Sequence, residues 1–320
     1  MSFDGTAPSP DVSVIIAHYN SGGDVLNAIK SALDQTGLTL EVVVVDDCST
    51  DGSDQSVSDL ADQDARVRLF RLPLNSGPAA ARNHAIQQSR GRFIAILDAD
   101  DSFLPGRLAR LVEMADRRTA DAIADNMIVT NSQGSCLAFP QEWMQESAPL
   151  SITKLLQRGT PWEIGGLPIG YMKPLLSRAF LSAHAIAYDE RLRISEDFML
   201  YFDLLKAGGR LILDDSEGYV AVARERSLSH GDDTVHRRVL QTHDAIAAKL
   251  RDGSKGEKAA LAHRRDALTL EVAISDLRRG DIAAGALAVL DIRPSYLLRK
   301  TVRACVKRLG RRRTLAPTEG

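Results

Sequence analysis

Cysteine is scarce in this sequence, and its spacing excludes two classes of protein. The 320-residue chain has three cysteines, which are far apart: Cys48, Cys136 and Cys305. Small secreted domains with disulfide frameworks and structural zinc sites both need paired or closely spaced cysteines. We therefore expect a reduced, cytoplasmic protein without a cysteine-ligated metal.

Long apolar runs are also missing. No stretch approaches the roughly 18 apolar residues that a membrane-spanning helix needs, and residues 1–11 lack the basic and apolar segments of a signal peptide. These absences predict a cytoplasmic chain with a flexible N-terminus. It is expected to be either free or peripheral at the inner face of the cytoplasmic membrane.

Acidic residues are absent from a stretch near the C-terminus. The whole chain has a formal net charge of −2, which gives no indication of a nucleic-acid partner. Between Asp291 and Glu319, however, nine basic residues occur without an acidic one. Residues 294–313 also place Leu298, Val302, Cys305 and Leu309 at helical spacing. Two interpretations stay open: a basic amphipathic helix on an anionic membrane, or a solvated terminal helix that packs on its own domain.

From residue 12 onward, short β-branched runs alternate with amphipathic stretches. Strands are predicted at 12–17, 41–45, 67–72, 93–97 and 122–129, and helices at 23–35, 53–62, from 78, and at 105–118. This alternation predicts βαβ units, and hence a Rossmann-like, mainly parallel sheet with helices on both faces.

The second half of the chain is less regular. Residues 135–170 are expected to be irregular, followed by regular structure at 173–189, a helix at 196–207 and strands at 210–213 and 219–222. The chain from 235 to about 313 is predicted to be helical. The predicted domains are therefore an α/β domain at 12–234, with halves at about 12–134 and 135–234, and an all-α region at 235–320.

Polar clusters directly follow three of the predicted strands. They are His18-Tyr19-Asn20, Asp46-Asp47 and Asp98-Ala99-Asp100. Ligands of parallel sheets bind beyond the carboxyl ends of the strands, so these clusters should converge. An Asp-x-Asp pair at such a position suits Mg²⁺ or Mn²⁺ with a nucleoside diphosphate, because these ions prefer carboxylate and phosphate oxygens. The alternative use of such carboxylates is to cap turns or helices.

Four motifs in order carry a family resemblance. The segments VSVIIAHYN, EVVVVDDCSTDGS, NSGPAAARNHAI and GRFIAILDADD, within residues 12–101, resemble the successive motifs of family 2 inverting glycosyltransferases of the GT-A fold. The segment 194–198, Ile-Ser-Glu-Asp-Phe, resembles the Glu-Asp motif of that family, and residues 219–229 resemble the segment after it. Lys173-Pro174-Leu175 and the helical tail resemble bacterial exopolysaccharide glucosyltransferases in particular.

The resemblance implies a sugar transfer from a nucleotide-sugar donor, with UDP-glucose as the expected donor, to a saccharide or lipid-linked saccharide. It implies Asp197 as the catalytic base and Asp100 as the ligand of Mg²⁺ or Mn²⁺. The implied donor-site residues are Ala17, Tyr19 and Asp47 for the base and ribose, Asp98 for the ribose or sugar, and Asn75, Gly77, Arg82 and Asn83 for the donor wall.

Several alternatives stay open. Glu196-Asp197 could simply place negative charge at a helix N-terminus, and Arg82 could be a surface cation. Six further residues could either line a ligand site or serve in loops, packing or capping: His18, His230, Asp125, Asn126, Trp143 and Trp162. The alternative function is a non-catalytic or nucleotidyltransferase-like nucleotide-binding protein. Dehydrogenases and P-loop enzymes are disfavoured because the sequence has neither G-x-G-x-x-G after its first strand nor a P-loop.

Overall fold

A computed structural model describes residues 9–159, 167–223, 235–298 and 300. The chain divides into two compact units, Met1–Asp232 and Asp233–Gly320. The first unit is built on a mixed nine-stranded sheet and the second is helical. The division of the first unit into a nucleotide-sugar half at about 12–134 and an acceptor half at about 135–234, which the family resemblance implies, stays a prediction.

The strands give the sheet a parallel half and a mixed half. They are β1 (Val12–His18), β2 (Leu40–Asp46), β3 (Val67–Arg71), β4 (Phe93–Ile96), β5 (Ser102–Phe103), β6 (Ala122–Asn131), β7 (Gly134–Leu137), β8 (Leu175–Ser177) and β9 (Leu211–Val222). Their order across the sheet is β3-β2-β1-β4-β8-β6-β9-β5, and β7 pairs with β6.

The parallel half contains the strands that the sequence predicts most clearly. β1 pairs in parallel with β2 and β4, and β2 pairs in parallel with β3. These strands are rich in buried valine and isoleucine, as expected when helices cover both faces of a sheet. The connecting helices are α1 (Asp24–Leu33), α2 (Ser53–Ala61) and α3 (Pro78–Gln88). Right-handed crossovers place α1 and α2 on one face and α3 on the other.

The mixed half contains most of the differences from the sequence-based prediction. Strand β8 is antiparallel to both β4 and β6, while β6 and β9 are parallel. Helix α4 (Arg107–Arg118) precedes β6. The two strands predicted at 210–213 and 219–222 are one strand, β9. The polar residues 214–217 interrupt the apolar pattern of this strand, so the sequence predicts two strands. The register of β9 against β6 shifts around Asn126.

The prediction that residues 135–170 are irregular is wrong for most of the described part. This segment contains β7, α5 (Gln141–Met144), α6 (Ile152–Arg158) and a 3₁₀ turn (Ile169–Tyr171). Each element is too short for its hydrophobic period to be recognised in a sequence. Trp162 and the glycine pair at 165–166 lie outside the described residues.

Two further helices complete the first unit, α7 (Arg178–Ala183) and α8 (Glu196–Lys206). Most side chains of α8 are buried, including Asp197 near its N-terminus. A helix that is apolar on nearly all sides belongs in a protein interior. The interior position of α8 brings the Glu-Asp motif into the core of the first unit.

Within the described residues, the second unit contains α9 (Val235–Lys249), α10 (Lys255–Arg278), α11 (Ile282–Leu290) and a helical segment at 294–298. The prediction of an all-α region is confirmed within the described residues; residues 301–313 lie outside them. Helix α10 begins with a capping box between Ser254 and Glu257. Among the described residues, no helix is both long and apolar enough to cross a membrane.

Gly91 lies where β1, β2 and β4 begin to pair, and a substitution there tests the packing of these strands. Its N–H donates to Ser13 Oγ (2.8 Å), and Ser13 Oγ donates to Glu41 Oε1 (2.6 Å). A Cβ atom on Gly91 would overlap the Ser13 amide nitrogen. We expect Gly91→Ala to lower the free energy of unfolding in urea by about 1–3 kcal/mol, because a backbone neighbour cannot move aside cheaply.

The matched control is Gly23→Ala. A Cβ on Gly23 would meet no atom within 4 Å, and its φ of −80° suits any residue. This change should alter the free energy of unfolding by less than about 0.5 kcal/mol. Equal effects of the two substitutions would contradict a steric role of Gly91.

Candidate functional site

The candidate site lies at the carboxyl ends of β1, β2 and β4. From β1 the chain moves across the sheet to β2 and β3 on one side, and then crosses to β4 on the other side of β1. The strand order therefore reverses at β1. Ligands of open α/β sheets bind at such a reversal point. The structure brings Asp98, which follows β4, together with Arg82 of α3 and with Glu196 and Asp197 of α8.

The loops after β1 and β2 are held together by side chains. Asn20 N–H donates to Ser49 Oγ (2.9 Å), and Thr50 N–H donates to Asn20 Oδ1 (2.8 Å). Asn20 and Cys48 both have positive φ values, of 49° and 68°. Non-glycine residues adopt such angles only where the surrounding structure enforces them. The neighbouring Tyr19 is 50% exposed, so its ring can stack on a ligand at this edge.

Asp47 is buried and holds the loop that precedes α3. Its carboxylate accepts hydrogen bonds from the N–H groups of Ser76 (2.7 Å) and Gly77 (2.8 Å). Gly77 has a φ of 92°, which favours glycine, and Pro78 then begins α3. Asp47 therefore positions Gly77 and the exposed Asn75, two residues of the predicted donor wall. Its remaining lone pairs can still accept from a nucleotide.

Arg82 is a buried ion-pair centre, so its interpretation as a surface cation is wrong. Its guanidinium contacts Asp98 Oδ1 (2.7 Å) and Glu196 Oε1 (2.7 Å), and lies 3.9 Å from Asp197 Oδ1. The guanidinium also lies over the ring of Tyr188, 5.5 Å from its centroid. A planar cation with several donors suits this junction of three carboxylates. Arg82 thus links the end of β4 to the start of α8.

Lys173 makes the second cationic link. Its ammonium lies 2.6 Å from Asp197 Oδ2 and 3.0 Å from Asp98 Oδ2. The hydroxyl of Tyr188 donates to the other oxygen of Asp197, Oδ1, at 2.9 Å. Both oxygens of the Asp197 carboxylate therefore have buried partners. Ser195, directly before the Glu-Asp pair, is held at a φ of 64°.

The pKa values in this cluster follow from burial and charge. Burial opposes the ionisation of Asp98, but the charges of Lys173 and Arg82 outweigh it and hold the pKa of Asp98 well below its usual range. Burial also opposes the charge of Lys173, yet the two carboxylates raise its pKa. Burial, with the charge of Asp197, raises the pKa of Glu196. The cluster therefore has three carboxyl groups and two firmly charged cations.

Asp98, Asp100 and Asp101 form an acidic group at the exit of β4. The hydroxyl of Tyr219 donates to Asp101 Oδ2 (2.7 Å) and accepts from Asp98 N–H (3.1 Å). Burial and the charge of Asp98, with a smaller effect of Asp100, raise the pKa of Asp101 to about 7. Asp101 therefore lies in a half-buried position beside the charged Asp98.

This donor set fits a hard divalent cation. Within the described part of the chain, no group of three or more His, Cys, Asp or Glu side chains is arranged to hold a metal. Mg²⁺ commonly takes one or two protein carboxylates and completes its shell with phosphate oxygens and water. The half-buried Asp100, in an acidic group with oxygen donors only, suits such an ion and a diphosphate together.

Asn83, a predicted donor-wall residue, has a supporting role in the described structure. Its side chain accepts from the N–H of Tyr188 (2.9 Å) and donates to the carbonyl of Tyr188 (3.0 Å) and to Glu190 Oε1 (2.9 Å). It thereby fixes the segment that presents the Tyr188 hydroxyl. The sequence alone indicates no role for Tyr188 or for the Lys173 side chain, although the Lys-Pro segment is part of the family resemblance.

The structure decides several of the open alternatives. Asp125 is buried in a bidentate ion pair with Arg107, so it neither caps a loop nor lines a pocket. Trp143 is buried under the guanidinium of Arg158, which supports its packing role. His18 is buried 3.6 Å from Asp46, and burial lowers its pKa. His230 and Trp162 lie outside the described residues.

Comparison with known proteins identifies the family. Residues 13–173 match the family described as "Glycosyl transferase family 2". The chain is 41% identical over 221 residues to the succinoglycan biosynthesis protein ExoO of Rhizobium meliloti (strain 1021), covering 69% of this chain and 63% of that protein. It is 37% identical over 269 residues to ExoU of the same strain, covering 81% of this chain and 76% of that protein.

Solved structures agree on the fold. The crystal structure of S. aureus TarS 1-349 with UDP-GlcNAc has a TM-score of 0.61 at 22% identity, covering 87% of this chain and 90% of that one. The mannosyltransferase PcManGT from Pyrobaculum calidifontis, with GDP-Man and Mn²⁺, has a TM-score of 0.57 at 21% identity, covering 93% and 85%. With its α/β sheet, its helical C-terminal region and its four ordered motifs, the chain belongs to glycosyltransferase family 2 and has the GT-A fold.

Proposed function

We propose that this chain is an inverting glycosyltransferase of polysaccharide biosynthesis, which transfers a sugar from a nucleotide-diphosphate donor to a saccharide or lipid-linked saccharide. The observation that carries the proposal is the direct connection of Asp98, at the donor edge of the sheet, with Asp197 through Lys173 and Arg82. The similarity to two succinoglycan biosynthesis proteins supports the process.

The donor would lie along the carboxyl ends of β1, β2 and β4. The exposed ring of Tyr19, with Ala17 and Asp47, would hold the base and ribose, and Asp98 the ribose or sugar. UDP-glucose is the proposed donor. The TarS structure with UDP-GlcNAc and the PcManGT structure with GDP-Man support nucleotide-sugar binding by this fold.

Asp100 would hold Mg²⁺ or Mn²⁺ with the diphosphate. Bound there, the ion would stabilise the negative charge that develops on the leaving diphosphate. The neighbouring carboxyl groups of Asp98 and Asp101 support this placement, because a cluster of oxygen donors suits these ions. The Mn²⁺ of the PcManGT structure is consistent with it.

Asp197 would act as the base. The acceptor oxygen forms a bond to the anomeric carbon as the bond from that carbon to the diphosphate oxygen breaks, and the acceptor proton passes to the Asp197 carboxylate. Each carboxylate oxygen has two lone pairs, so Asp197 can accept this proton while Lys173 and Tyr188 hold it. One displacement inverts the anomeric configuration.

The helical unit offers a surface for an anionic membrane. Three side chains on one side of α11, Ile282, Leu287 and Leu290, are 71%, 68% and 81% exposed, and α11 contains no charged residue. The basic run after Asp291 follows this helix directly in the sequence. An anionic membrane would match both features, because its interior is apolar and its headgroups are negatively charged. We propose that α11 and residues 294–313 make reversible, peripheral membrane contact.

The first prediction from this proposal concerns Asp197. We expect Asp197→Asn to keep nucleotide binding and to lose transfer by about 10²–10⁴-fold, because the amide is nearly isosteric but cannot take a proton. The measurement is nucleoside diphosphate release from a panel of nucleotide sugars with acceptor, alongside calorimetric nucleotide affinity. Asp203→Asn, on the same helix, is the matched control and should stay active. If Asp197→Asn kept most of its turnover, Glu196 would become the candidate base.

The second prediction concerns the metal. Calorimetry should show that UDP or GDP binds the parent protein more tightly with Mn²⁺ than with EDTA, and that Asp100→Ala abolishes this difference. The control Asp62→Ala removes the same charge at the far end of α2 and should preserve it. Equal metal dependence in the parent and in Asp100→Ala would defeat the assignment.

The third prediction concerns the membrane. Tyr296 is buried against Ala267 and Ile292, so the shortened chain used in the test must retain Tyr296. The full chain should sediment with anionic vesicles, less at high salt, while a chain ending at Lys300 should sediment much less. Each lost basic residue near the surface removes about 1 kcal/mol. Equal sedimentation of the two chains with anionic vesicles would contradict an electrostatic role of the tail. Equal sedimentation of the full chain with neutral and with anionic vesicles would contradict it too.

A further inference from the structure

Lys173 is a buried cation shared by two carboxylates from different parts of the fold. It is 7% exposed, and its ammonium lies between Asp197 Oδ2 (2.6 Å) and Asp98 Oδ2 (3.0 Å). Asp98 follows β4, Asp197 is the second residue of α8, and Lys173 lies two residues before β8. One side chain therefore joins the donor edge of the sheet to the helix that bears the proposed base.

The backbone around Lys173 is fixed on both sides. The carbonyl of Lys173 accepts from Arg107 Nη2 (2.7 Å), and Arg107 is itself held by Asp125. The carbonyl of Met172 accepts from the hydroxyl of Tyr201 (2.6 Å), a residue of α8. Pro174 further restricts the backbone of Lys173 to extended angles. The origin of the lysine side chain is thus fixed relative to the helix that carries Asp197.

Burial of this ammonium is a poor way to gain stability. A charge that leaves water loses several kcal/mol of hydration, and apolar replacements of buried ion pairs are often neutral or stabilising. The arrangement does supply geometry, because Lys173 holds Oδ2 of Asp197 while the Tyr188 hydroxyl holds Oδ1. A carboxylate with both oxygens held cannot rotate about its last bond.

Charged and titratable groups surround Asp197 from several elements. They are Lys173 before β8, Tyr188 after α7, Arg82 of α3, Asp98 after β4, and Glu196 and Tyr201 of α8. Lys173 makes the shortest contact in this set and carries a full charge. A charge-assisted hydrogen bond of this length is stronger and more directional than a neutral one, so Lys173 fixes the carboxylate more firmly than Tyr188 does.

We propose that Lys173 is a positioning residue for the transfer reaction: it orients the Asp197 carboxylate and couples it to Asp98 on the donor side. This inference rests on the proposed function of Asp197. Tyr188 shares the orienting role through its neutral hydrogen bond but supplies no charge.

The test compares three variants by kcat, KM and nucleotide affinity in the full chain. Lys173→Met removes the charge at similar volume, Lys173→Arg keeps it, and Tyr188→Phe removes only the neutral hydrogen bond. In Lys173→Met we expect kcat to fall by about 10–100-fold, because a misplaced base slows transfer, while the KM for the donor and the nucleotide affinity stay close to those of the parent. Lys173→Arg should restore most of kcat, and Tyr188→Phe should lower kcat by less than Lys173→Met does.

The outcomes separate this inference from the proposed function. Loss of transfer in Asp197→Asn supports the base whatever the lysine variants do. An unchanged kcat in Lys173→Met, with melting temperature and nucleotide affinity like those of the parent, would overturn the role of Lys173 alone. If Lys173→Met does not fold, Lys173→Gln takes its place, because its amide is polar but carries no charge: a loss of kcat at unchanged nucleotide affinity supports the role of Lys173, and an unchanged kcat contradicts it.

Discussion

The balance of buried charge at the end of β4 is the constraint on which the site depends. Asp98, Glu196 and Asp197 would repel one another if they met without cations, and all three have low exposure. Arg82 and Lys173 make their approach possible, because each cation contacts carboxylates from both β4 and α8. The sheet edge and the Glu-Asp helix therefore depend on the same ion pairs, and a change in one cation affects both sides of the site.

The surrounding fold fixes these cations and carboxylates with hydrogen bonds to the backbone. Arg107, itself paired with Asp125, holds the carbonyl of Lys173, and Asn83 holds both backbone groups of Tyr188. Asp47 in turn holds the start of α3, the helix that bears Arg82. The protein's own hydrogen bonds therefore fix the positions of the charged groups. Such pre-organisation suits a reaction in which charge develops on a leaving diphosphate.

The sequence predicts the parallel half of the sheet and the carboxylates at its edge, because buried β-branched strands and strand-end aspartates are local patterns. The family resemblance points to Asp197. The partners of these groups are not local: Lys173 meets Asp98 and Asp197 only after β8 has been inserted antiparallel beside β4. In the same way, Asp125 resembles a loop carboxylate in the sequence, because its partner Arg107 belongs to a different element, α4. Short elements such as β8, with three residues, have too little sequence periodicity for such side-chain contacts to be predicted.

The proposed reaction is a single displacement at the anomeric carbon, with one carboxylate as base and no covalent intermediate. The most direct measurement is the anomeric configuration of the transferred sugar, read by proton NMR of the product formed from an α-linked nucleotide sugar. A single displacement with Asp197 as base predicts a β-linked product. An α-linked product from that donor would show retention and would contradict the proposed displacement.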